Sequence, residues 1–98
     1  MDPDNLVGPV LQASVATDAV ISAIRELNGV VQVADRGSYL RVSVPGCCVV
    51  TRRAIEAQLG QPFRLPGDLE LIMPSFKGKL SMTEDEVRWT STAAERHP

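Results

Sequence analysis

Any chemistry in this chain has to come from a short stock of side chains. Two adjacent cysteines, Cys47 and Cys48, one histidine, His97, and the acidic run Glu84-Asp85-Glu86 are the groups that could bind a metal, attack a carbonyl or move a proton. Two thiolates alone do not complete a zinc or iron–sulfur site. Cys47 and Cys48 lie in an apolar run with Val49 and Val50, which suits two strand residues facing opposite sides; a vicinal disulfide or reactive thiol pair is the alternative. His97 is next to last, in what reads as a frayed tail, so no internal histidine can serve as a base. Contiguous acids just before a strand suit a solvated loop. The chain has no Glu-x-x-His pair to hold two irons, no Cys-x-x-Cys and no glycine-rich phosphate loop. A nucleophile beside a base, a carboxylate pair of raised pKa or a metal cluster is what catalysis requires, and the parts are missing. Neither a cofactor nor a metal is expected.

Other residues stand out because their placement is costly. Arg52 and Arg53 fall in the first turn of a short helical segment, where the positive end of the helix dipole disfavours a cation by about 0.3–1 kcal/mol. Either Glu56 compensates them one turn on, or they meet acidic groups on a partner. Phe76 interrupts an alternating pattern between Pro74-Ser75 and Lys77-Gly78. Its ring either folds back over the core or anchors an interface, where a few aromatic and arginine side chains commonly carry most of the binding energy. Tyr39 and Arg41 occupy the strand face opposite Leu40 and Val42, a face that is either wet or docked.

The elements that position these residues follow from hydrophobic period. Val7, Val10 and Leu11 begin an apolar segment that Gly8-Pro9 marks as an edge strand, because proline cannot donate to a ladder. Thr17-Asp18 offers an N-cap for a helix carrying Val20, Ile21, Ile24 and Leu27 on one stripe until Asn28-Gly29. From Val30 the period becomes two, with Val31 and Val33 on one face of a hairpin turning at Asp35-Arg36-Gly37-Ser38 and returning through Leu40, Val42 and Val44. After Pro45-Gly46, Cys47 to Val50 form a third apolar segment, Thr51 caps a second helix with Ile55 and Leu59 on one face, and Gly60 ends it. Leu69 and Leu71 alternate with Glu70 as a strand, resumed by Leu80 and Met82, and a last strand turns Val87 and Trp89 inward. The order predicts an α+β fold of two similar βαββ halves, with antiparallel sheets and two helices packed on one face. One domain over residues 7–90 is expected, between flexible segments at 1–6 and 91–98.

Composition narrows the partners. The chain has 98 residues, 44% hydrophobic and 22% charged, with a formal net charge of −2. That is enough for one modest core, with no basic face for nucleic acid and no eighteen-residue apolar run to cross a bilayer. The acidic start Met1-Asp2-Pro3-Asp4-Asn5 lacks the basic and apolar stretches of a secretory signal, which points to the cytoplasm.

At Val7-Gly8-Pro9, Asp35-Arg36 with Tyr39 and Arg41, Thr51-Arg52 through Phe63, and Leu69 through Gly78, the sequence resembles the effector (coupling or regulatory) proteins of soluble diiron multicomponent monooxygenases, in their toluene and alkene/isoprene branch. These blocks keep their order and spacing from near the start to Arg88-Trp89; the chain departs from the pattern at Cys47-Cys48 and in its tails. The resemblance implies a protein without cofactor or catalytic residues that binds the diiron hydroxylase oligomer directly. A Rieske ferredoxin and an NADH-dependent reductase would belong to the same system as indirect partners. It also implies that NADH and O2 use is coupled to oxidation of a hydrocarbon, aromatic or alkene. The segment approaching the active-site helices would be Pro74, Ser75, Phe76, Lys77 and Gly78, with Asn5, Val7, Gly8 and Pro9 as a second contact. Arg36, Tyr39, Arg41, Arg52 and Arg53 complete the expected hydroxylase-binding set. Rival readings are an ACT-like small-ligand regulatory domain, which two βαβ-type halves would also suit, and a plain adaptor that leaves turnover unchanged.

Overall fold

The computed structural model describes residues 5–91. Seven strands and three helices run β1 (Leu6–Gln12), α1 (Val15–Leu27), β2 (Gln32–Asp35), β3 (Tyr39–Pro45), β4 (Cys47–Thr51), α2 (Arg52–Leu59), α3 (Gly67–Ile72), β5 (Ser75–Lys77), β6 (Lys79–Met82) and β7 (Glu86–Thr90). All pairings are antiparallel and form two sheets, β2-β3-β1-β5 and β4-β7-β6. The fold is the expected α+β class, with a first half β1-α1-β2-β3. The second half carries an extra helix and sends β5 to the first half's sheet.

Two glycine corners join the sheets. The chain leaves the first sheet at the end of β3 and enters the second at β4 through Gly46, with φ of 79°. The Gly46 N–H donates to the Asn5 carbonyl at 2.7 Å, and its carbonyl accepts from Ser91 N at 2.9 Å. It crosses again from β5 to β6 at Gly78, with φ of 108°, where a Cβ would lie 2.8 Å from both the Thr90 oxygen and a Val7 methyl. Strands that change sheet at bends make the corners of a packed two-sheet core. Ser91, expected to start the tail, is buried and tied to the first corner; His97 and the rest of both expected flexible ends, apart from Asn5 and Leu6, lie outside the described residues.

Val7 and Leu11 of β1, Val20 and Ile24 of α1, Val42 and Val44 of β3, Cys48 and Val50 of β4, Ile55 of α2, Leu69 of α3 and Val87 and Trp89 of β7 form one buried cluster. Each aliphatic side chain so buried contributes about 1.5–3 kcal/mol relative to exposure. Trp89 is fully buried, and its Nε1 has no hydrogen-bond partner among the described residues.

Three sequence expectations need correction. The first helix is capped three residues before Thr17: Ser14 is its N-cap, accepting from Thr17 N at 3.0 Å, while the buried Thr17 hydroxyl donates to the Gln12 carbonyl. Leu69-Glu70-Leu71 is helix, not strand; Leu69 is buried whereas Leu71 is 77% exposed, so the alternation did not reflect a common face. Finally, β1 is interior. Its pairing with β3 skips Gly8 and Pro9, which pair with Lys77 and Phe76 of β5 instead, so the missing proline N–H falls where the main ladder is already interrupted.

Candidate interaction surface

Strand alternation puts Val10 and Gln12 of β1 and Tyr39, Arg41 and Ser43 of β3 on the face turned away from the core. Two depressions open there. One, of about 330 Å³, is lined by Leu6, Val7, Gly8, Val10, Arg41, Val42, Ser43, Ser75, Phe76 and Lys77. Its neighbour, about 460 Å³, shares Val10, Arg41 and Ser75 and adds Gln12, Ser38, Tyr39 and Pro74. Gly8 makes the floor possible, because a Cβ there would stand 2.4 Å from the Val42 carbonyl oxygen. Phe76 is 41% exposed at the rim, so its ring is not folded into the core.

Sequence reasoning therefore named eight residues that the fold brings together: Val7, Gly8, Tyr39, Arg41, Pro74, Ser75, Phe76 and Lys77. It missed Leu6, Val10, Gln12, Ser38, Val42 and Ser43, although the parity that puts Tyr39 and Arg41 on the outer face puts Ser43 there as well. Pro9 is buried in β1, Asn5 and Gly78 serve the sheet corners, and Arg36 is exposed in the β2–β3 turn, its N–H bonded to the Tyr39 carbonyl at 2.9 Å.

Arg52 and Arg53 line neither depression. Arg52 is paired within the chain, to Glu56 and to Asp85 at 3.2 Å each, while its backbone N–H donates to the Asp85 carbonyl at 2.8 Å. The bond to Asp85 and then the charge of Glu56 raise its pKa further, keeping the guanidinium protonated. Glu56 also accepts from Phe63 N at 2.9 Å, so this cluster ties α2 to the following loop and to the β6–β7 turn. Arg53 is exposed and makes no ion pair among the described residues.

The thiols are free and face apart: Cys48 is fully buried, and Cys47 is half-buried with Arg88 Nη1 3.8 Å from its sulfur. Burial, and after it the neighbouring Cys47, pushes the Cys48 thiol up to about 12. No group of three or more histidine, cysteine, aspartate or glutamate residues that could hold a metal ion occurs among the described residues, and none of their helices is long and apolar enough to cross a membrane.

The model of the MmoB/DmpM family matches residues 5–90, a span that includes both sheets and all three helices. The chain belongs to this family. The effector subunit of the alkene monooxygenase system of Xanthobacter autotrophicus is 43% identical over 88 residues, covering 88% of this chain and 86% of that protein. Among solved structures, a chain of the phenol hydroxylase–regulatory protein complex superposes with a TM-score of 0.77 at 19% identity, over 87% of this chain and 97% of its own. The soluble methane monooxygenase regulatory protein B gives 0.70 at 24% identity, over 98% of this chain and 71% of its own. At such identities these two likenesses speak to the fold. Members of the MmoB/DmpM family are regulatory components, so this chain is an effector subunit of a multicomponent monooxygenase rather than its catalytic part, and the ACT-like reading is disfavoured.

Proposed function

We propose that this MmoB/DmpM protein binds the diiron hydroxylase of its monooxygenase through the β1-β3-β5 face, and that binding couples NADH and O2 consumption to hydrocarbon oxidation. The observation that carries the docking site is the convergence of Phe76, Arg41 and Tyr39 around two depressions. A half-exposed aromatic ring and an arginine beside an accommodating concavity are the kind of groups on which interface energy concentrates. The effector acts by linkage: it shifts the hydroxylase only to the extent that it binds one conformation more tightly than another. Ferredoxin and reductase are indirect partners in this scheme, which operates in the cytoplasm. The 43% identity to an alkene system's effector favours an alkene over an aromatic substrate.

The test is to titrate the protein into its hydroxylase, ferredoxin and reductase, recording product and NADH together. Product and product per NADH should rise to a plateau near one effector per active site. The Phe76→Ala variant should need at least about tenfold more protein to reach it, as expected for loss of a hot-spot aromatic. Saturation unchanged by Phe76→Ala would remove this face from the interface, while no stimulation by the wild type would remove the coupling role.

A further inference from the structure

Among the described residues, cations and no acids line the two depressions. The chain carries twelve aspartates and glutamates against ten lysines and arginines, yet among the described residues no carboxylate lines either concavity, whereas Arg41 lines both and Lys77 lines the one beneath Phe76. Across the sheet Arg41 stands between Val10 on β1 and Ala34 on β2, neither of which can answer its charge. Arg41 is exposed and makes no ion pair among the described residues, in contrast to Arg52 and Arg88, each paired to an acid at 3.2 Å. An acidic protein thus presents, on a concave face, the Arg41 guanidinium with no ion pair among the described residues, beside an apolar wall at Val10 and Phe76.

We infer that this face receives an acidic side chain of the hydroxylase, an aspartate or glutamate whose carboxylate meets the Arg41 guanidinium while an adjoining apolar residue packs on Phe76 and Val10. The inference rests on the docking reading above and adds the chemistry of the partner. A planar guanidinium with free donors matches a carboxylate with two parallel hydrogen bonds, a geometry that lysine does not reproduce. Closing the interface over the pair excludes water and strengthens it; the same ion pair left exposed would contribute little.

The experiment measures hydroxylase affinity by titration at low and high salt for the wild type, Arg41→Gln, Arg41→Lys, Arg41→Glu and Phe76→Ala. Arg41→Gln should weaken binding about tenfold or more at low salt and flatten the salt dependence. Arg41→Glu should be weaker still, and Arg41→Lys should recover part of the affinity. Phe76→Ala should weaken binding while keeping the wild-type salt slope. Because Arg41 is exposed, thermal unfolding of its variants should match the wild type, which separates a binding loss from misfolding. Unchanged affinity and slope in Arg41→Gln, with Phe76→Ala still impaired, would overturn the acidic partner and leave the docking face standing. Wild-type affinity in both would overturn the face itself. Sedimentation of the protein alone gives a further arm: a dimer that Arg41→Glu dissociates would make the occupant a second copy of this chain and also overturn the inference.

Discussion

At Gly8 the space a side chain would need is already taken by backbone. A methyl there would approach the Val42 carbonyl oxygen to 2.4 Å, and φ is 147°, so Gly8→Ala should destabilise the fold by about 2–4 kcal/mol. Gly37, in the β2–β3 turn, has φ of 86° but nothing within 4 Å, and Gly37→Ala should cost only about 1 kcal/mol of conformational strain. Urea unfolding followed by the buried Trp89 would separate the two, and equal losses would mean that backbone angle rather than close approach governs Gly8. Cys48 supports a second prediction. Its folded pKa is raised to about 12 from an ordinary 9.0, so the folded state keeps a proton that the unfolded chain releases. That contribution is whole below pH 9 and is lost as pH rises from there toward 12. Between pH 7.5 and 10 the wild type should therefore lose on the order of 1 kcal/mol more stability than Cys48→Val, which has no such proton to lose. Parallel pH profiles for the two proteins would sink the assignment. That Cys47 and Cys48 face opposite sides of β4 was legible from strand parity. That Arg52 also bridges to Asp85 was not, because Asp85 lies 33 residues away in sequence.

Among the elements, those with strong period and clear caps were legible, and α2 lies between Thr51 and Gly60 as read. The six-residue α3 was not: over so short a run, apolar residues two apart fit a strand as well as a helix, and the deciding contrast is that Leu69 is buried and Leu71 is not. Asn28 shows the other limit. It reads as a helix stop, and its side chain does donate to the Ile24 carbonyl at 2.7 Å. The same amide also donates to the Val49 carbonyl at 2.8 Å and accepts from Val49 N at 3.1 Å, acting as one residue of a neighbouring strand along the outer edge of β4. Covering a sheet edge in this way blocks unwanted strand pairing. Asn28→Ala should cost about 1–3 kcal/mol, since two backbone groups lose their partner together. Amide exchange at Val49 should accelerate in that variant well beyond the global change in stability. If Val49 exchanges no faster than its β4 neighbours, the side chain caps α1 alone.

For the molecule as a whole, the arrangement separates a concave sheet face from a helical layer. The helical layer is held by α1 against α2 and β4, and α3 closes over the core with Leu69. Gly78 packs against Val7 of β1 and Thr90 of β7, and Gly46 is bonded to Asn5 and Ser91 just beyond the ends of those strands, so the two glycines fix how the β1-β3-β5 face lies against the second sheet. An effector built this way can present its face as a rigid unit and spend little ordering entropy on binding. Hydrogen exchange of the protein alone and with saturating hydroxylase would test this division. Amides of β5 and the β2–β3 turn should become protected in the complex, because β5 is a three-residue edge strand and Arg36 to Ser38 lie in an exposed turn. Those of α1 near the exposed Val15, and of α3 near Leu71, should exchange as in the free protein, apart from any uniform slowing that tracks global stabilisation. Protection centred on α1 and α3 instead would mean that the apolar side chains Val15 and Leu71, at 76% and 77% exposure, form the hydroxylase contact and that the concave face points to solvent. A footprint on β5 and the turn, joined to the salt response of Arg41, would fix both the orientation of the effector on its partner and the charge that it meets there.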